Sequence, residues 1–324
     1  VSTMAIAIAL AGGGYYALIC TQILLNFFIF VYYTIASRWF PRLQFSVSAF
    51  REFFSYGIHL MLAYMATIVE RNINTFILGR FYTSAASGIY SQGGKLAQVP
   101  YGVSEASINA PFFVVASNEE NPERQRSLIN EMTSTMLIIN FSIIALLFSA
   151  AEPIVDCLLS AKWHNAIPIF RILLFAECLF AIKQYFITLC KLKAKTRFVR
   201  NLGFIGVAVQ LALLAIFLRK GIYLIAATQV AGVAFAATVY AIYSVRTLKF
   251  FTFHGLAGIF CHTAWIPLLA AIATAALINL APLPAFVGCI IACISYGTIT
   301  LALGAITHSG LYLLLRKKLK SNEA

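Results

Sequence analysis

GIYSQGGKLAQVPYGVSEASIN, residues Gly88 to Asn109, is a mostly apolar run with polar groups at a repeating interval. Ser91, Lys95, Gln98, Gly102, Glu105 and Asn109 follow one another by steps of four, three, four, three and four residues. At about 100° per residue these steps keep the polar groups on one face of a helix. Phe81 upstream and Pro111-Phe112-Phe113-Val114-Val115 downstream read as the ends of a membrane span. A lysine and a glutamate inside such a span are costly unless their face meets water or a polar partner. The stretch therefore predicts a membrane helix that lines a hydrophilic cavity.

Composition extends that reading to the whole chain. Of its 324 residues 61% are hydrophobic and only 11% charged, with a mean hydropathy of +0.85. Soluble domains carry about 25% charged residues, so the solvent implied here is a bilayer. The formal net charge of +13 does not indicate a nucleic-acid face. The basic residues cluster at the ends of apolar runs, where they set orientation, and are not interleaved with polar and aromatic groups. The seven cysteines lie mostly within apolar runs, with no CxxC pair and no disulfide framework. Cys289 and Cys293 stand four apart, without a His or carboxylate beside them, and read as small apolar filler.

Spans are predicted at roughly 14–36, 52–79, 87–116, 131–150, 166–189, 201–218, 222–245, 257–280 and 285–312, about nine full crossings. Residues 1–11 read as the end of a further helix, set off by Gly12-Gly13-Gly14, which makes the chain a fragment by expectation. Nothing at the start resembles a signal peptide. Placing alternate loops on opposite sides puts sixteen Lys and Arg, from Arg38 to Lys320, on one face of the membrane. Only Arg80, Lys162, Arg219 and Lys220 fall on the other. The basic side, with the C-terminus, is the cytoplasmic one.

Four basic residues remain inside spans, Arg71, Lys95, Arg171 and Lys183, against the acids Glu70, Glu105 and Glu177. Each costs at least ~2.5–3.5 kcal/mol on insertion scales. Glu70 and Arg71 are adjacent, so they point in different directions and do not simply neutralise each other. Arg171 and Lys183 lie near enough to span ends that snorkelling competes with a cavity role. Lys95 and Glu105, sharing a stripe with Gln98 and Asn109, fit a water-filled pathway better than packing. Pro100 and Pro111 should kink that helix. Gly93-Gly94-Lys95 is not a phosphate-binding loop, because Leu96 stands where Ser or Thr belongs and the spacing from Gly88 is wrong. The five histidines are scattered and no HExxH or GxSxG occurs. His59, inside a span, is a candidate coupling residue. No metal site, cofactor or catalytic centre is expected.

Two segments carry a family resemblance. Arg71-Asn72-Ile73-Asn74-Thr75-Phe76-Ile77-Leu78-Gly79-Arg80 is followed by Gly88-Ile89-Tyr90, Leu96 and Pro100. This is similar to the N-x-D, L-G-R, L-G-x-Y and P pattern of bacterial polysaccharide flippases, the Wzx-type branch of the MATE/MOP superfamily. Leu158-Leu159-Ser160-Ala161-Lys162-Trp163-His164-Asn165-Ala166-Ile167-Pro168 resembles that family's W-x-x-A-x-P segment. Asn74 stands where the family often has Asp, and Ser87 where it often has Leu. The Asn weakens any acidic or cation-coupling role at that position.

The resemblance implies an all-α integral membrane protein, a polytopic helix bundle of the MATE/MOP flippase type. Residues 1–50 would end an N-terminal bundle, 51–246 would form the C-terminal six-helix bundle, and 247–324 two accessory helices and a basic cytoplasmic tail. It implies a bacterial cytoplasmic-membrane flippase, not an enzyme, for a polyprenyl-pyrophosphate-linked oligosaccharide of O-antigen, capsule or exopolysaccharide synthesis. Transport would proceed by alternating access. Membrane lipids are then partners, with glycan polymerase and other assembly proteins as candidates, and nucleic acid is not.

The residues suit such a substrate. Arg71, Lys95 and Lys183 can neutralise pyrophosphate. Asn72, Asn74, Gln92 and Gln98 can bond sugar hydroxyls, and Tyr90 and Tyr101 can face sugar rings. Glu105 and Asn109 complete the expected cavity, with Glu70, Glu177 and His59 as coupling candidates. The competing readings are an ion-coupled multidrug-type antiporter of the same fold, favoured by an acidic cavity, and a membrane enzyme of glycan assembly, disfavoured by short external loops.

Overall fold

Among the described residues, every predicted span falls on a helix or a helical run. The structure, a computed structural model, describes residues 16–38, 46–159, 161–280 and 284–307. The expected helix end at 1–11 and the basic tail from Arg316 to Lys320 lie outside the described residues. In chain order the helices are α1 (Tyr16–Ser37), α2 (Val47–Phe81), α3 (Ser84–Ala97), α4 (Val99–Ser104), a π-helical segment (Glu105–Asn109) and α5 (Ala110–Ser117). There follow α6 (Pro122–Ser149), α7 (Ala151–Leu159), a 3₁₀ segment (Ala161–Ala166), α8 (Ile167–Leu192) and α9 (Thr196–Phe217). The last are α10 (Ile222–Arg246), α11 (Phe253–Leu280) and α12 (Ala285–Thr307). No strand occurs among the described residues.

Six helices are long and apolar enough to cross a membrane, within Ile19–Ser37, Pro122–Ser149, Lys162–Leu192, Thr196–Phe217, Ile222–Arg246 and Phe253–Ile278. The chain is a multi-pass membrane protein. The other predicted crossings are helical as well. α2 is 35 residues long, with Arg51 and Glu52 near its start and Glu70, Arg71 and Arg80 in its second half. The run from α3 to α5 is broken, and α12 runs over 23 residues.

Contacts divide the chain into Val1–Phe54 and Ser55–Ala324. In the first unit, α1 leaves large apolar side chains such as Phe27, Phe30 and Tyr33 exposed. The second unit is built on α8, with 18 of its 26 residues buried. α10, α3 and α6 pack round it. Gly93 lets α3 come close, since a Cβ there would lie 3.2 Å from the Phe170 backbone nitrogen and 3.3 Å from the Ala166 carbonyl oxygen. Between α9 and α10 the chain turns at Gly221, whose φ of 104° suits glycine. Its amide donates to the Tyr82 hydroxyl at 3.2 Å.

The two prolines explain the broken run. Pro100 has no N–H to give to Leu96, and the helix is interrupted at Gln98 before α4 begins. Pro111 likewise cannot bond Ser107, and the ladder just upstream widens into the π segment. Sequence periodicity treats Gly88–Asn109 as one α-helical face; the two interruptions rotate its halves relative to each other.

Candidate functional site

Residues from α2, α4, the π segment, α8, α9 and α10 line a cavity of about 560 Å³. α8 contributes Phe180, Lys183, Gln184, Ile187 and Lys191, which recur every three or four residues and so share one face. Glu177 precedes them in the same register. α2 brings a matching face from Leu60 through Ala63, Thr67 and Arg71. Val199, Leu202, Gly203 and Gly206 of α9 form a smoother wall. Tyr101 and Glu105 close another side, carried there by the proline-interrupted run.

Two crossed ion pairs hold α2 against α8. Arg71 donates from Nη2 to Glu177 Oε2, and Lys183 donates from Nζ to Glu70 Oε2. Adjacent residues on α2 thus reach opposite charges six residues apart on α8, which answers how Glu70 and Arg71 are each neutralised. Phe180, midway between Glu177 and Lys183, shares its ring with both cations. The Arg71 guanidinium carbon lies 4.1 Å from its centroid and the Lys183 ammonium 4.4 Å. Tyr101 approaches Arg71 from another side at 4.5 Å. Cation–π contacts of this kind are worth ~0.5–2 kcal/mol, more as water is excluded.

The pairs differ in access. The Arg71 side chain is 21% exposed, while those of Lys183, Glu70 and Glu177 are 3%, 6% and 4% exposed. Arg71 is the more exposed cation of the two pairs, while Lys183, which also lines the cavity, is nearly sealed. Glu70 Oε1 and Arg71 Nε have no hydrogen-bond partner among the described residues. Lys191 adds a partly exposed charge two turns from Lys183, about 12 Å along the helix. The cavity lining is electrically mixed, with Arg71, Lys183 and Lys191 facing Glu70 and Glu105.

The other expected site residues are distributed more widely. Asn72 is exposed at the cavity wall, its amide returned to Ile68 O at 2.8 Å. Asn109 is buried and donates to Glu105 Oε2 at 2.8 Å. Lys95 and Gln98 are exposed and Gln92 half-buried on α3 and its C-terminal end, and none of them lines this cavity. His59 sits one residue before the lining Leu60, its Nδ1 2.9 Å from Arg200 Nη1. Arg171 does not reach the cavity, and pairs at 3.2 Å with Glu152 of α7.

Asn74 and Tyr90 belong to a packed network. Asn74 Nδ2 donates to Tyr90 OH at 3.0 Å and to Ile225 O at 3.1 Å, and Tyr90 OH donates to Gln229 Oε1 at 2.6 Å. Gln210 Nε2 donates to Asn74 Oδ1 and to Glu70 O, each at 3.1 Å. Amides and a phenol from α2, α3, α9 and α10 are thereby joined without a formal charge. Gln210 and Gln229 escaped sequence reading because a lone glutamine in an apolar run carries no periodic signal. Phe180, Gln184 and Lys191 did carry one, in the spacing that continues from Glu177.

The chain is thus a multi-pass helical membrane protein with paired charges beside a cavity. The chain belongs to the polysaccharide biosynthesis protein family, whose sequence profile matches residues 1–168. It is 25% identical over 212 residues to the teichuronic acid biosynthesis protein TuaB of Bacillus subtilis (strain 168), covering 64% of this chain and 41% of that protein. Its fold is similar to that of the lipid II flippase MurJ in an inward closed conformation. That match has a TM-score of 0.58 at 15% identity, over 82% of this chain and 57% of that one. The chain thus spans about half the length of the proteins it matches.

Proposed function

We propose that this chain forms part of a flippase that carries a polyprenyl-pyrophosphate-linked oligosaccharide across the bacterial cytoplasmic membrane for surface polysaccharide synthesis. The observation that carries the proposal is Arg71, a cavity-facing guanidinium braced by Glu177, Phe180 and Tyr101. Guanidinium is the side chain best suited to a bidentate grip on phosphate oxygens. Family membership and the flippase-like fold support the same reading.

Lys191 stands on the basic, cytoplasmic side of the cavity and first meets the headgroup. Arg71 then receives the pyrophosphate, and Asn72 and Gln184 offer bonds to sugar hydroxyls beside the Tyr101 ring. Lys95, Gln92 and Gln98 lie off this cavity and have no part in the route proposed through it. The polyprenyl tail stays in lipid, and rocking of helix bundles exposes the cavity to either side in turn. No bond is made or broken, so the reading is of a transporter and not an enzyme.

A bound anion must share Arg71 with Glu177. Substrate binding and the state of the Glu70–Lys183 and Glu177–Arg71 pairs are therefore linked, which is the coupling role suggested for the two acids. The test is surface-glycan display in cells lacking the intact protein and in cells where it is restored. Loss of display with build-up of lipid-linked oligosaccharide on the cytoplasmic face supports a flippase. Normal display without the protein contradicts it.

A further inference from the structure

α7 was not foreseen from sequence, and it brings a third cysteine to the pair on α12. Pro153 of α7 packs on Gly288 of α12, where a Cβ would lie 3.2 Å from the proline Cβ. Glycine at 288 lets the two helices approach closely. One turn beyond Pro153, Cys157 faces the same way. Next to Gly288 stands Cys289, so the close approach of Pro153 to Gly288 brings Cys157 and Cys289 to the same α7–α12 seam. Cys157 is exposed and Cys289 half-buried; both are free thiols. Cys293 is exposed one turn further along α12.

The orientation set by the basic loops places the end of α6, all of α7 and the start of α12 on the extracytoplasmic side, where disulfides persist. We propose that Cys157 and Cys289 are a redox-responsive pair whose disulfide ties α7 to α12 at the outer end of the bundle. The exposed Cys157 thiolate attacks an external low-molecular-mass disulfide and releases one thiol. The Cys289 thiolate then attacks the Cys157 sulfur of the mixed disulfide and releases the second. The protein pair loses two electrons, the external disulfide gains them, and the thiol protons pass to the two leaving thiolates. A bond here would fix α12 to the outer end of the unit without touching Arg71 or Glu177. The pairing rests on the packing of α7 and α12, and only its sidedness rests on the topology used under the proposed function.

The test uses the full-length protein in sealed, right-side-out membrane vesicles treated with oxidised glutathione, which does not cross the membrane. Expected is a disulfide-linked peptide pair carrying Cys157 and Cys289, lost in Cys157→Ser and in Cys289→Ser and retained in Cys293→Ser. Formation of the pair only with a membrane-permeant oxidant such as diamide would overturn the extracytoplasmic placement. Failure with both oxidants, or a bond between Cys289 and Cys293 instead, would overturn the pairing itself.

Discussion

Arg71 of α2 and Glu177 of α8 form an ion pair that is open to the cavity on the arginine side and sealed on the glutamate side. The pair therefore does two things: it joins two helices and it presents a guanidinium to whatever occupies the cavity. Those roles separate under mutation. Arg71→Ala removes the cavity cation and strands a buried carboxylate. We expect it to abolish surface-glycan export while membrane insertion stays normal. Arg71→Glu should be worse, because an anion would then meet a second carboxylate. Immunoblots of membrane fractions alongside glycan staining separate the two effects.

The charge-swapped double variant Arg71→Glu with Glu177→Arg keeps opposite charges between α2 and α8 but moves the guanidinium away from the cavity face. Thermal stability in detergent should recover toward that of the intact protein, with glycan export still lost. Recovery of export as well would mean that the pair is only structural.

Lys183 and Glu70 are more deeply buried than Arg71. Removing one partner of a buried pair leaves an uncompensated charge, at a cost of about 3–5 kcal/mol. Lys183→Met alone should therefore lower the unfolding midpoint markedly, and adding Glu70→Gln should restore most of the loss. Monodisperse protein with an unchanged midpoint in the single variant would show that the pair bears no such strain.

Asn74 joins three helices through Tyr90, Ile225 and Gln210. Asn74→Leu strands several of these partners, each costing about 1–3 kcal/mol. Its unfolding midpoint should fall well below that of Asn72→Leu, since Asn72 bonds only within its own helix. Equal midpoints would place Asn74 outside the load-sharing network.

Pro111→Ala returns a backbone donor to Ser107 and should convert the π segment to regular α-helix. That change rotates Glu105 relative to Pro111. We expect glycan export to fall several-fold, with accessibility of a Glu105→Cys thiol to a hydrophilic reagent altered in the same background. Unchanged accessibility would show that the proline does not set the position of Glu105.

Much of the fold was legible because a bilayer constrains sequence strongly. Runs of apolar residues locate the long helices, although α6 begins at Pro122 where a start near 131 is expected, and α7 was missed. The site was legible only where charge announced it. Arg71, Lys183, Glu70 and Glu105 stood out as expensive groups in apolar helices, and all four line the cavity. Lys95 looked equivalent, yet it is exposed on α3, because the break at Gln98 separates its face from that of Glu105. Asn74 and Tyr90 read as sugar ligands by residue type, whereas their structural partners are two glutamines on distant helices. Which cation pairs with which acid depends on how α2 crosses α8, a tertiary fact that spacing along either helix does not contain.

The central claim is that Arg71 meets an anionic headgroup on its way across the membrane. The direct measurement is translocation of a fluorescent polyprenyl-pyrophosphate-linked oligosaccharide in vesicles reconstituted with the full-length protein, compared with Arg71→Ala and with protein-free vesicles. The account expects movement with the intact protein and none above the protein-free level with Arg71→Ala at equal protein content. Equal rates for the intact and Arg71→Ala proteins would contradict it.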